Sequence, residues 1–221
     1  MPLPLQVGVI GGTGPEGRGV ALRLARGGAT VVVGSRAIDR ARQTVDRLRE
    51  RAGELPLDAA DNRTVADRCD VVFLTVPFAH AAAIVGECAE RFRPGSLLID
   101  VTVPVTFDGG APQLVEVAEG SAAEHIRGRL PRRVQLAAAL KTVPARVLGG
   151  DAPLDCDEFV CGDSAEARSR AGDVLRLIPG LRLIDAGPLA AARTIERMTL
   201  LAIEINRRYK VRDARFRVVG V

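Results

Sequence analysis

Apolar residues along this chain fall into short runs separated by amphipathic stretches. The run Leu5-Gln6-Val7-Gly8-Val9-Ile10 is short enough for a buried strand, and a glycine cluster, Gly11 to Gly17, follows it directly. Val20, Ala21, Leu22, Leu24 and Ala25 are then spaced for one face of a helix that stops at Gly27-Gly28. A second apolar run, Thr30 to Val33, ends in Gly34-Ser35-Arg36. The alternation continues. It predicts a helix over 37–51, a short helical piece over 64–69, a strand over 70–75, a helix over 78–90 and a strand over 95–101. Beyond these, 112–127 reads as a helix, 133–140 as a strand, 157–163 as a strand and turn, and 165–177 as a helix. A strand over 180–185 and a long helix over 189–209 finish the pattern. This succession predicts an α/β chain: a Rossmann-type, doubly wound, mostly parallel sheet with a small C-terminal extension of helix and strand. No linker interrupts it. The expectation is one dinucleotide-binding domain over 1–221, with a core over 1–140 and an extension over 141–221 that forms a second-substrate cleft and a dimer contact.

The glycine cluster brings in chemistry. Gly12, Gly14 and Gly17 have the G-x-G-x-x-G spacing, between a strand and a helix, as a dinucleotide site requires. Gly12 is expected to permit the tight turn, Gly14 to let the backbone approach a pyrophosphate, and Gly17 to let the helix pack close. The pyrophosphate would sit at the helix start near Pro15. At the end of the second strand an NAD site usually carries a carboxylate for the ribose hydroxyls. This chain has Ser35-Arg36, with Arg40 a turn later, which suits an adenosine 2′-phosphate and favours NADP(H). Asp39 is expected to pair with a neighbouring arginine. Thr75-Val76-Pro77 and Val101 to Pro104 fall at the carboxyl ends of strands, where they would flank the nicotinamide ribose and ring. His80 is either a cofactor contact or a structural hydrogen-bonding residue; His125 reads as surface.

Composition narrows the classes. At 221 residues the chain can bury a sizeable core, and 47% hydrophobic with 26% charged residues is an ordinary globular balance. The net charge of +4 comes from arginines interleaved with acids, and there are too few aromatics to stack bases, so nucleic acid is not expected as a partner. No basic leader precedes the first strand and no apolar stretch is long enough to span a membrane, which predicts a cytoplasmic protein without a membrane partner. Four scattered cysteines and two histidines make a metal site improbable, and buried thiols are expected.

Six segments occurring in order resemble a known family. They are Gly11-Gly12-Thr13-Gly14, Val33-Gly34-Ser35-Arg36, Leu74-Thr75-Val76-Pro77-Phe78, Thr142-Val143-Pro144-Ala145, Val160-Cys161-Gly162-Asp163 and Asp185-Ala186-Gly187-Pro188-Leu189. Together they are similar to the NADPH-dependent reductases of the deazaflavin coenzyme F420. Pyrroline-carboxylate reductase relatives share the plan but differ in length and in the second half. The resemblance implies NADP(H) held by Gly12, Thr13, Gly14, Pro15, Glu16, Ser35, Arg36 and Arg40. Thr75, Val76, Pro77, His80, Val101 and Ala145 would complete that site. It implies F420, or a related flavin-like acceptor, over the nicotinamide, in a cleft lined by Val103, Pro104, Lys141, Thr142, Val143, Pro144 and Leu189. The chemistry would be direct hydride transfer, which needs stacked rings rather than an acid–base pair.

Lys141 stands where archaeal members of that family carry histidine. It is the one candidate catalytic side chain. It could stabilise negative charge on a reduced deazaflavin, bind an anionic group of another substrate, or point to solvent. Two other readings stay open: an NADPH-dependent reductase of an imine or dehydroamino acid, and an NADP-sensing protein without turnover. The apolar face of the last helix and the tail from Phe216 to Val221 would suit a homodimer.

Overall fold

The computed structural model describes residues 6–107 and 110–221. Leu5, where the first strand was expected to begin, lies outside the described residues. The chain builds β1 (Gln6–Ile10), α1 (Pro15–Arg26), β2 (Thr30–Ser35), α2 (Ile38–Ala52), β3 (Leu57–Asp61), α3 (Asn62–Arg68), β4 (Val71–Leu74) and α4 (Phe78–Cys88). Then come β5 (Leu97–Asp100), β6 (Val105–Thr106), β7 (Gln113–Leu114), α5 (Ala122–Arg127), β8 (Gln135–Ala138) and α6 (Ala145–Leu148). The chain closes with β9 (Cys156–Gly162), α7 (Ala165–Leu175), β10 (Leu181–Pro188) and α8 (Ala192–Tyr209).

Eight strands form one sheet in the order β10-β9-β8-β5-β4-β1-β2-β3. β1, β4 and β5 are buried on both faces, as their near-continuous apolar runs require of central parallel strands. One core layer packs α1, α2 and α7 on one face, through Leu22, Leu24, Val45 and Val174. The other packs α3, α4, α5 and the start of α8 on the opposite face, through Val65, Ile84, Ile126 and Ile195. All pairings in the large sheet are parallel except β8 with β9. β9 and β10 therefore run against the other six strands. The register pairs Ala138 of β8 with Cys161 near the end of β9, so the first residues of β9 project beyond the carboxyl end of β8. The C-terminal tail covers part of that overhang: Asp157 N–H donates to the Phe216 carbonyl at 3.0 Å.

Three expectations are corrected. The helix over 112–127 is restricted to α5. Ser121 caps it, its hydroxyl accepting from the Glu124 N–H at 3.1 Å and donating to the Glu124 carboxylate at 2.7 Å, an N-cap that fixes the start. The residues before it form the β6–β7 hairpin instead. β3 went unseen because its sequence, Leu-Asp-Ala-Ala-Asp, lacks an apolar run; it is an edge strand held by β2. The tight turn at the end of β1 falls on Gly11, at φ +77°, rather than on Gly12.

Arg23 ties the two halves of the chain together. It is buried in α1, and its guanidinium donates to the carbonyls of Val147, Leu148 and Gly150, each at 2.9 Å. Those carbonyls belong to the C-terminal end of α6, where a cation is favoured. Arg23→Met is expected to destabilise the fold by about 1.5–3 kcal/mol, since three acceptors lose a charged donor. Chemical denaturation checks this, and an unchanged midpoint would show that solvent replaces the guanidinium.

Candidate functional site

The site lies at the carboxyl ends of β1, β2, β4, β5 and β8, where a doubly wound sheet leaves a crevice between helices of opposite faces. Two cavities meet there. The smaller, about 190 Å³, is walled by Gly11, Thr13, Gly14, Ser35, Arg36, Ala37, Arg40, Asn62, His80 and Ile84. The larger, about 470 Å³, is walled by Pro15, Glu16, Val101 to Val103, Leu140 to Ala145 and residues of α8. Gly14, Thr75, Val76 and Pro77 belong to both.

At the joint, the glycine turn is packed without slack. A Cβ on Gly17 would fall 2.6 Å from Gly12 Cα and from Thr75 Oγ1, so α1 can sit this close to β4 only with glycine there. Gly12 is buried by the same packing, against Val9 and Val33, and reaches neither cavity. Gly14 differs. A Cβ there would meet only the Gly11 carbonyl, at 3.6 Å, so the space beside it is open to a ligand backbone. Pro15 and Glu16 form the first turn of α1, whose N–H groups are oriented toward an anion at this point.

In the smaller cavity Ser35, Arg36 and Arg40 stand together, as β2 ends and α2 begins. Asp39 is taken by Arg42 at 3.2 Å, leaving the other two guanidinium groups for the cavity. His80, exposed on α4, completes the wall. Asn62 was not foreseen: it begins α3, and its Oδ1 accepts from Gly11 N–H at 3.4 Å, bracing the turn. These groups fit a dinucleotide phosphate in donor set and charge.

The larger cavity is mostly apolar at its rim and ionic beneath. Lys141 is buried, and its ammonium lies 2.8 Å from Asp100 Oδ2 and 3.1 Å from Glu196 Oε1, and donates to the Thr102 carbonyl. Burial opposes its charge, but Asp100 and Glu196 outweigh that and hold the lysine above its usual value. Both Glu196 oxygens also accept from the Ala122 N–H, and burial pushes this carboxyl up. Asp100 accepts from the Thr102 N–H at 3.0 Å and hydroxyl at 2.8 Å. The ammonium thus has its bonds inside the protein, and the reading in which it points to solvent is corrected. Asp100 and Glu196 were not singled out in the sequence.

Glu158 enters because β9 runs backwards. It lies near the start of that strand, fully buried, accepting from Lys141 N–H at 3.1 Å and Thr142 Oγ1 at 2.7 Å. Burial pushes it up to about 7 in spite of those bonds. Glu16 is pushed further, to about 8, by burial and then by the charge of Glu158. Its Oε1 is buried with no hydrogen-bond partner among the described residues. Leu140, at the turn into this loop, is held at φ +57°, a left-handed conformation stored where β8 ends.

Val103, Thr142, Val143, Pro144 and Ala145 line the larger cavity with Lys141. Pro104 and Leu189 do not. Pro104 is buried, its carbonyl accepting from Val115 at 2.6 Å. Leu189 sits in the core layer under α8, its carbonyl facing Cys161 Sγ at 3.8 Å. Thr199, Ala202, Ile203 and Asn206 of α8 supply wall instead, and Thr199 Oγ1 donates to the Lys141 carbonyl at 2.8 Å. The helical period gave α8 its apolar face but not the cavity it borders.

Comparison with known proteins agrees with this geometry. The family described as "NADP oxidoreductase coenzyme F420-dependent" matches residues 6–104. An F420-dependent NADP reductase of Methanothermobacter marburgensis is 34% identical over 98% of this chain and 99% of its own length. One from Methanothermobacter thermautotrophicus is 35% identical over 98% of this chain and 96% of its own. A solved structure from Arthrobacter sp. FB24 superposes with a TM-score of 0.81 at 23% identity, covering 98% of this chain and all of that one, and shows the fold. With near-full-length likeness to named reductases, and a sheet and glycine turn to match, this chain belongs to the family of F420-dependent NADP reductases.

Proposed function

We propose that this protein transfers a hydride between NADP(H) and the deazaflavin coenzyme F420, in a cytoplasmic homodimer. The observation that carries this is the pair of cavities, about 190 and 470 Å³, joined at Gly14, Thr75, Val76 and Pro77. One is polar and arginine-rich; the other is walled by Val101, Val103, Val143 and Pro144. In this reading Ser35, Arg36 and Arg40 hold the adenosine 2′-phosphate, and His80 flanks it. Thr13, Gly14 and the first turn of α1 take the pyrophosphate, and the nicotinamide enters the larger cavity past Thr75 and Val76. The 141–221 extension completes the chamber for the second ring system, with Lys141 to Ala145 as its floor and α8 as its far side.

When both coenzymes are bound, the dihydronicotinamide and the deazaflavin supply the redox chemistry. The protein positions their rings and excludes water. The valine and proline walls do the excluding, and the buried Lys141 cluster fixes the loop that carries them through Asp100, Glu196 and Glu158. Among the described residues, no helix is long and apolar enough to cross a membrane. The exposed Leu201 of α8 is the natural centre of the proposed subunit contact.

The test is absorbance at the deazaflavin band when protein, NADPH and F420 are mixed. Bleaching that requires the protein and prefers NADPH to NADH is expected. Binding of NADPH without any change in the band would overturn the assignment of F420 and direct attention to imine or dehydroamino acid substrates.

A further inference from the structure

Glu16 is the group in the cleft that the hydride-transfer reading leaves unused, half-buried as a residue with its Oε1 fully buried. It sits in the first turn of α1, next to Pro15, on the wall of the larger cavity where that cavity meets Gly14. A ligand whose phosphates lie over the glycine turn and whose other end enters the larger cavity passes this side chain. Around it, charges are already committed. From β9, Glu158 contributes a second carboxyl bonded to Thr142 and to the Lys141 N–H. From the loop after β8, the Lys141 ammonium is held by Asp100 of β5 and Glu196 of α8. From β4, the Thr75 hydroxyl donates to the Ile10 carbonyl at 2.9 Å. On its own helix, Arg18 turns back to the Thr13 carbonyl at 3.4 Å. None of these supplies a cation to Glu16, and its Oε1 has no partner among the described residues.

We propose that Glu16 answers the charge of the nicotinamide, holding a proton beside the neutral reduced ring and releasing it beside the cationic oxidised ring. This rests on the reading that NADP(H) lies along the two cavities. A buried acid without a partner is stable protonated, and a positive ring within reach reverses that preference. The balance closes for the proposed reaction. The C4–H bond of NADPH breaks and its hydrogen leaves with the electron pair for deazaflavin C5, so the nicotinamide is oxidised and becomes cationic. The Glu16 O–H bond breaks, its electrons stay as carboxylate, and the proton supplies the one that the reduced deazaflavin takes up at N1.

The experiment is proton release on binding, read with an indicator dye in weak buffer at pH 7, without F420. A cation nearby lowers a carboxyl pKa by about 1–3 units. From a free value of about 8 that releases roughly 0.4–0.9 proton per NADP⁺. NADPH should release far less. Both forms carry the same 2′-phosphate, so its own titration cancels in the comparison. Glu16→Gln should abolish the difference while both forms still bind. A second measurement guards against a damaged variant: in the wild type the ratio of the NADP⁺ Kd to the NADPH Kd should fall several-fold from pH 6.5 to 8, and in Glu16→Gln it should be flat. Equal proton exchange with both forms would place Glu16 by the pyrophosphate and overturn the proposal, as would a difference that survives in Glu16→Gln. Because no deazaflavin is present, failure of F420 as acceptor would leave this result standing.

Discussion

Lys141→Met should lower stability by about 3–5 kcal/mol, because it strands Asp100 and Glu196 together in the interior. For a chain of this size that corresponds to a melting temperature about 6–20 °C lower, measurable by calorimetry or circular dichroism. The loss should depend on pH with a definite sign. Without the ammonium, burial acts unopposed on Glu196, whose carboxyl it already holds above the unfolded value. The contribution of that group to stability is then present at low pH and disappears as pH rises through the raised value, so the variant should melt closest to wild type near pH 5 and worst near pH 8. Combining Lys141→Met with Asp100→Asn and Glu196→Gln should recover much of the loss by removing the charges altogether. A shift below about 2 °C in the single variant would show that water reaches the cluster and that it is not the anchor described above.

Arg36→Ala should reduce the preference for NADPH over NADH by about 10- to 150-fold, the value of one charged hydrogen bond of about 1.5–3 kcal/mol. The ratio of kcat/KM for the two coenzymes reads it. The change should fall almost wholly on NADPH, leaving NADH within about twofold, since only NADPH carries the 2′-phosphate. Arg40→Ala added to Arg36→Ala should deepen the loss, and the whole effect should shrink in high salt because both side chains are exposed. Equal losses with both coenzymes would mean that these arginines shape α2 rather than read the phosphate.

The dinucleotide half was legible because its signals are local. Gly11 to Gly17, the strand before it and Ser35-Arg36 lie within one stretch, and each residue acts on its neighbours in sequence. The gathering of Ser35, Arg36, Arg40 and His80 around one cavity follows from that stretch and from the β4–α4 turn. The second cavity was legible in outline only. Lys141 stood out as a departure from the family's histidine, but its partner Asp100 is 41 positions away and Glu196 lies on α8, so no spacing rule connects them. Glu158 reaches the cleft only through the reversal of β9, and a strand's direction leaves no trace in its own periodicity. The resemblance placed Glu16 among the residues that hold NADP(H); the Glu158 carboxyl that helps to raise it arrives on β9, far from it in sequence. The expected helix before Ser121 fails for the opposite reason: its stop is local, since the Ser121 hydroxyl accepts from the Glu124 N–H and starts α5 there.

The reversal of β9 also divides the molecule by how freely it can change over evolutionary time. The residues proposed to receive the dinucleotide sit where glycine packing at positions 12 and 17 permits almost no variation in backbone spacing. The opposite wall is a loop that the reversed β9 braces through Glu158, together with one face of α8, whose Thr199, Ala202, Ile203 and Asn206 lie outside every strand of the sheet. A lineage with this scaffold can therefore retune its hydride acceptor while inheriting its hydride donor unchanged, and replacements at positions 199, 202, 203 and 206 are where such a history would be written.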